Sequence, residues 1–242
     1  MNYSSDLHTH TIASGHAYTT LLENINYCAE NGIKILGTSE HGPTMPNAPH
    51  LWYFSNLRVV PREINGVTIF KGAEANILNP EGYIDITDHE SQYLDYMVAS
   101  FHECVFEPNT LENNMSALFN AVNKNEKIEI IGHIGNPHYE LDYDAIVKFA
   151  KEKDIMIEIN NCSIIGSSRK GSKENCKHVA ELCKKYCTKI ILSSDAHICF
   201  SIGKFDPSIE MLKSIDFPEE LIMNEPEKLI AHFKNKGRLQ DL

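Results

Sequence analysis

The stretch KIEIIGHIGNPHYELDYDAIVKFAKEKDIMIEIN, Lys127–Asn160, decides the fold. It opens with a short apolar run, KIEIIGH (Lys127–His133), and closes with another, IMIEIN (Ile155–Asn160). Runs of this length bounded by polar loops read as buried strands. Between them, Asp142–Lys153 carries an amphipathic helical pattern. A buried strand, a helix and a second buried strand make a βαβ unit, and such units build a parallel sheet.

The same unit recurs on both sides. IKILGTS (Ile33–Ser39), VTIFKGAE (Val67–Glu74), DYMVASF (Asp95–Phe101) and KIILSSD (Lys189–Asp195) read as further buried strands, and the opening SSDLHTH makes seven. Helical patterns cover Thr19–Asn31, with apolar Leu22, Ile25 and Ala29 and a stop at Gly32, and also Thr110–Asn123 and Ser172–Tyr186. Pro226–Lys236 reads as a closing helix with proline at its first position. Seven βα units without a break in composition imply one closed or nearly closed α/β barrel, a single domain over residues 1–242. The longest irregular segment, Gly42–Arg62, holds the single Trp and four of the ten prolines, and reads as a lid-like loop with a short helix.

Composition narrows the partners. With 22 Lys+Arg against 33 Asp+Glu the formal charge is −11, which argues against binding nucleic acid through its phosphates. Bound divalent ions would still make a positive site in an acidic chain. Seven cysteines without a C-x-x-C pair fit neither a disulfide framework nor a zinc finger. Cys176, Cys183 and Cys187 recur at helical spacing and read as small apolar residues. No leader-like N-terminal segment or bilayer-length apolar run is visible, so a reducing cytoplasm fits best.

The twelve histidines carry the chemistry. His8 and His10 end the first strand; His41, His102 and His133 follow or end the second, fourth and fifth; Glu74 ends the third; Asp195 and His197 finish the seventh. Strand C-termini and the loops after them form the active face of a parallel barrel, so these side chains converge on one mouth, where His16 can join them. His8 and His10 are two apart on a strand and point the same way, within reach of one ion. Asp195 and His197 repeat that spacing. Glu74 has two oxygens with which to bridge two ions. Imidazole and carboxylate together suit Zn, Mn or Fe better than Mg or Ca. His89, His178 and His232 fall outside this pattern and read as surface residues, while His50 and His138 lie in loops near the mouth.

Six motifs in order, DLHTHT (Asp6–Thr11), SEHGP (Ser39–Pro43), GAEANI (Gly72–Ile77), ASFHE (Ala99–Glu103), GHIGNP (Gly132–Pro137) and SSDAH (Ser193–His197), resemble the PHP superfamily, named for polymerase and histidinol phosphatase, and within it the small bacterial stand-alone phosphatases. The resemblance implies a distorted seven-stranded (β/α)7 TIM-like barrel with three divalent ions. One ion would take His8, His10, Glu74 and Asp195; a second would share Glu74 and add His102 and His133; the third would take His16, His41 and His197. Glu40 stands where the pattern has Asp, as a carboxylate behind an imidazole, and Ile134 stands where relatives have Pro.

The expected activity is hydrolysis of a small phosphate monoester by a hydroxide bridging two ions, with Glu74 and His197 as candidate catalytic residues. Arg58 and Arg62 in the lid-like loop, Arg169 and Lys170 after strand six, and Asn160 at its end are candidate substrate-binding residues. Trp52, Tyr53 and Phe54 read as packing residues or an apolar wall, and Cys104 as structural. Two other readings stand beside this one: an amidohydrolase-type hydrolase, which also uses an H-x-H and a late Asp, and a metal-binding scaffold without turnover.

Overall fold

The computed structural model of the protein describes residues 3–166 and 169–242. Seven strands lie parallel in the order β1 (Ser5–Asp6), β2 (Ile35–Thr38), β4 (Val67–Asn76), β5 (Tyr96–Ser100), β6 (Ile128–Ile131), β7 (Met156–Asn160) and β8 (Ile190–Ser193). A two-residue strand, β3 (Glu63–Ile64), pairs antiparallel with the start of β4. The barrel is nearly closed: beyond the strand ends Thr9 bridges Ala196, and the His10 N–H donates to the Ala196 carbonyl at 2.9 Å. The Asp6 carboxylate spans the same seam, accepting from Ser194 and from the Gly203 N–H. Burial pushes the Asp6 carboxyl up to about 6, although these donors pull it down.

Strand side chains alternate between two cores, as the two-residue period of a strand requires. Ile35, Phe70, Tyr96, Val98, Ile130, Met156 and Ile191 form the barrel interior, while Leu36, Ile69, Met97, Ile131, Ile157 and Ile190 pack outward. The Tyr96 ring occupies the interior because Gly37 and Gly72 leave room for it; a Cβ on either would come within 2.4 Å of its ring or hydroxyl. Its hydroxyl donates to the Leu7 carbonyl at 2.5 Å.

The outer face is covered by α1 (Leu21–Glu30), α4 (Leu111–Lys124), α5 (Tyr143–Lys153), α7 (Ser172–Tyr186) and α8 (Asp206–Ser214), with short helices α2 (Leu51–Asn56), α3 (Asp88–Ser91) and α6 (Asn161–Ile165) in the loops. Thr20 and Glu23 close a capping box on α1, and Thr110 and Asp142 cap α4 and α5. Each such cap is worth about 1 kcal/mol. The helix α9 (Pro226–Asn235) seals the N-terminal end of the barrel, where Leu229 and Phe233 are fully buried against Phe70 and Tyr96. Burying side chains of this size contributes about 1.5–3 kcal/mol each. No helix among the described residues is long and apolar enough to cross a membrane.

Three expectations change. The buried face of α1 is Asn24, Ile25 and Cys28, while Leu22 is exposed and Ala29 faces solvent, because the helix is turned toward the seam with β2 and β4. The helix α8 is unforeseen, although Pro207 near its start and Ile209, Met211 and Leu212 announce it. The β3–β4 hairpin is also unforeseen; its turn is Asn65–Gly66, with φ of 54° and 77°, the sequence pair such tight turns favour.

His232 is the fourth correction. It is buried rather than on the surface, because the β5–β6 register shifts at Glu129 and aims that carboxylate at α9. His232 Nε2 lies 3.1 Å from Glu129 Oε2, Lys236 Nζ 2.7 Å from the same oxygen, and Arg238 Nη1 2.8 Å from Oε1. His89 and His178 are exposed, as expected of them.

Candidate metal centre

The inward face of β4 runs Phe70, Gly72, Glu74, Asn76, apolar at its start and polar at its end. The inward face of β7 runs Met156, Glu158, Asn160 in the same way. The interior therefore changes from a packed plug to a polar cup within one strand length. Into that cup the flanking loops send His8, His10, His16, His41, His102, His133, Asp195 and His197.

Glu74 sits at the centre, fully buried. Its Oε1 lies 3.3 Å from His8 Nε2, 3.4 Å from His102 Nε2 and 2.9 Å from His133 Nε2. Its Oε2 lies 3.6 Å from His10 Nε2 and 2.6 Å from His41 Nδ1. Asp195 Oδ1 stands 3.3 Å from His10 Nε2 and 3.7 Å from His8 Nε2. At the rim His16 and His197 face each other, Nε2 to Nε2, at 2.9 Å.

The donor set fits divalent ions. His8 Nε2, His10 Nε2, both His41 ring nitrogens, His102 Nε2 and Glu74 Oε2 are buried, and although carboxylate or imidazole atoms stand close to several of them, none makes a contact of hydrogen-bond geometry. Orphaned buried polar atoms cost about 1–3 kcal/mol each. Ligands held at 2.0–2.1 Å around a tetrahedral ion stand about 3.3–3.4 Å apart, which is the spacing of several of these gaps. His8, His10 and Glu74 form one group able to hold an ion; His41, Glu74 and His102 form a second; His10, His41 and His197 form a third. Glu74 belongs to two of the three. All nine residues expected as ligands thus meet at one mouth, with Glu74 shared as expected and with His10 and His41 each shared between two groups as well.

The electrostatics ask for positive charge. Burial drives the Glu74 carboxyl up, yet the His8, His102 and His41 rings outweigh it and hold Glu74 well below the usual carboxylate range. Asp195 is held down in the same way, against burial, by His8 and Arg169. Burial lowers His10 well below its ordinary value, with His41 adding to it. Burial, helped by Arg169, pushes His133 down to about 4. His8 goes the other way: against burial, Glu158, Glu74 and Asp195 hold it well above the usual imidazole value.

A layer of residues behind the ligands fixes their rings. Glu158 Oε1 accepts from His8 Nδ1 at 2.6 Å, Asn76 Oδ1 faces His102 Nδ1 at 2.7 Å, and Ser14 Oγ lies 3.2 Å from His10 Nδ1. The carbonyls of Ser14 and Asp195 face His16 Nδ1 and His197 Nδ1 at 2.9 and 3.0 Å. Such partners settle which nitrogen is left for an ion. Glu40 acts one step further back: it accepts from Ser14 Oγ at 2.6 Å and from the Thr11 N–H at 3.0 Å, and so reaches His10 through Ser14. Glu158, Asn76 and Ser14 were not among the sequence candidates. The signal for Glu158 was present, a lone charge on the inward face of an otherwise apolar strand.

The substrate candidates separate. Arg169 enters the mouth, its Nη1 donating to Asp195 Oδ2 at 3.0 Å and to Ser163 Oγ at 3.1 Å. It lines a pocket of about 400 Å³ together with His16, His102, Met45, Phe101 and Asn136. Lys170 is exposed; its neighbours Ser167 and Ser168 lie outside the described residues. Arg62 is a correction: it is at the opposite end of the barrel, bonded to both oxygens of Asp95, to Asp241 and to the Ile69 carbonyl, because the β3 hairpin returns the chain to the strand N-termini. Asn160 shapes the loop: its amide caps α6 and bonds to Glu158 and Asp195, and is buried. Arg58 is exposed over the Tyr93 ring and lines a separate groove of about 810 Å³ with Trp52 and His89. Of the aromatic trio, Phe54 is core, Tyr53 reaches Glu40 through its hydroxyl and Trp52 is exposed. Cys104 is exposed beside Met45. His50 caps α2 and His138 pairs with Glu103 at the rim.

No protein-family model matches the chain. A protein of Clostridium acetobutylicum named a probable phosphatase is 55% identical over the whole chain and 98% of its own length. A probable phosphatase of Caldanaerobacter subterraneus subsp. tengcongensis is 46% identical over 96% of this chain and 91% of its own. Among solved structures, the histidinol phosphate phosphatase of Lactococcus lactis, complexed with zinc, L-histidinol and phosphate, superposes with a TM-score of 0.61 over 89% of this chain and 95% of its own, at 16% identity. A chain of an archaeal ribonuclease P superposes with a TM-score of 0.58 at 11% identity, covering 98% of this chain and 93% of its own, so the barrel by itself names no chemistry. With the ordered motifs in place at the barrel mouth and curated relatives matched end to end, the chain belongs to the PHP superfamily, among its small bacterial stand-alone phosphatases.

Proposed function

We propose that the chain hydrolyses a small phosphate monoester at a centre of three divalent ions held by His8, His10, His16, His41, Glu74, His102, His133, Asp195 and His197. The observation that carries this reading is the set of buried, unpartnered nitrogen and oxygen atoms around Glu74 at ligand-to-ligand spacing. Ions bound there would lower the pKa of bound water from 15.7 to about 7 and offset the charge that builds up on phosphoryl and leaving oxygens.

The chain's own residues supply the rest. Glu74, shared between two groups, would hold two of the ions. Arg169 commits Nη1 to Asp195 and Ser163 and lines the pocket, where a guanidinium fork suits a phosphoryl group. The pocket of about 400 Å³ has room for a small phosphorylated molecule, and Met45 and Phe101 line it on one side. Zn, Mn and Fe all suit the imidazole and carboxylate donors.

The test is metal content and phosphomonoester hydrolysis on purified protein, before and after chelation and refilling with Zn, Mn or Fe. Turnover should vanish on chelation and return on refilling. Fewer than two ions per chain, or no turnover with any of the three metals, overturns the proposal.

A further inference from the structure

Glu158 is buried at the floor of the cup, beneath the ligands and away from the pocket. It makes four contacts, and every one is to a donor. Oε1 receives His8 Nδ1 at 2.6 Å and the Ser193 hydroxyl. Oε2 receives the His133 backbone N–H at 2.6 Å and Asn160 Nδ2 at 3.3 Å. An ionised carboxylate has about four lone-pair sites and no proton to give, so it satisfies all four partners at once.

The two strong contacts control different ligands by different means. At His8 the bond fixes the proton on Nδ1 and leaves Nε2, an unpartnered atom, facing Glu74 and Asp195. At His133 the bond holds the main chain. His133 has φ of 25°, a conformation that strains a residue with a Cβ and persists only when its surroundings impose it. That conformation carries the His133 ring to Glu74 Oε1, 2.9 Å away. The two rings are 6.1 Å apart and flank the same Glu74 oxygen from two sides.

We infer that Glu158 is a positioning residue that couples two ion positions, the one built on His8 and the one built on His133, by clamping a side chain of the first and the backbone of the second with one carboxylate. The inference rests on the proposed metal centre. It makes a distinct demand: a change confined to Glu158, which lies outside the proposed ligand set, weakens both positions together.

Glu158→Gln keeps the shape and breaks the pattern. An amide has one accepting oxygen and an NH2 group, so either orientation sets donors against donors, at His8 and Ser193 or at His133 and Asn160. Full-length wild type and Glu158→Gln are loaded with Mn(II) and followed by equilibrium titration and by electron paramagnetic resonance of the spin-coupled Mn pair. The expected result is a drop of about 10–100-fold in affinity at two positions and loss of the coupled signal. Wild-type binding in the variant, or weakening of one position alone, overturns the inference while leaving the metal centre standing. A wild-type chain that takes up no Mn(II), Zn(II) or Fe(II) overturns the metal centre itself. A second measurement needs no variant: in Zn-loaded wild type, nitrogen–proton correlation of the histidine rings should show His8 protonated on Nδ1, and a proton on Nε2 overturns the inference.

Discussion

The two ends of the barrel both bury carboxylates among histidines and bonded nitrogens, and they resolve the charge differently. At the N-terminal end Glu129 faces His232, Lys236 and Arg238, and Asp95 faces Arg62, so each carboxylate has a fixed cation within 2.5–2.8 Å. At the C-terminal end Glu74, Asp195 and Glu158 face a crowd of imidazoles and one guanidinium, Arg169, and the imidazoles are left with unpartnered nitrogens. A cluster that brings its own fixed cations serves stability, even though Glu129 Oε1 meets Arg238 as an ion pair without hydrogen-bond geometry. An open one, short of cations, suits ions that arrive from solution. The same residue types thus mean anchoring at one end and chemistry at the other, and the difference lies in whether the chain brings its own positive charge.

The largest break in this comparison is Glu74→Gln. Removing the shared carboxylate should cost turnover about 10³-fold or more, since metal stabilisation is worth several kcal/mol, and should lower the metal content. Full occupancy with a normal rate would refute the bridging role. At the other end, Glu129→Leu leaves Lys236 and Arg238 without their buried partner. Breaking such a pair costs about 3–5 kcal/mol. For a chain of this size that lowers Tm by roughly 6–20 °C. Metal content and rate per folded molecule should stay unchanged; a fall in metal content in this variant would show that the two ends are not independent. A smaller effect sharpens the comparison through two arginines. Arg169→Met removes a charged hydrogen-bond donor worth about 1.5–3 kcal/mol and should raise KM about 10–100-fold with the ions retained. Arg62→Ala should leave KM and kcat within about twofold and cost only stability, because its fork is spent on Asp95. Equal kinetic effects of the two changes would remove the distinction between the ends.

Much of this was legible before any coordinates. Strand alternation with helices implied the barrel, and the strand-end positions of Glu74, His102, His133 and Asp195 implied the mouth. The lid-like segment misled on Arg62, since its position depends on the Asn65–Gly66 turn at which the β3 hairpin sends the chain back. His232 misled because helical periodicity says which face is buried and not that a bulge on β6 has placed a carboxylate beneath it.

Taken alone, the sequence determined the seven parallel strands, most of the helices between them and the candidate ligand residues, because periodicity and spacing are local properties of a chain. Tertiary structure decided which polar residues stand behind the candidate ligands and which arginine lines the pocket. Glu158, Asn76 and Ser14 gain their roles from partners distant in sequence or across a turn, and a pattern along the chain carries no record of which donors a buried carboxylate will meet.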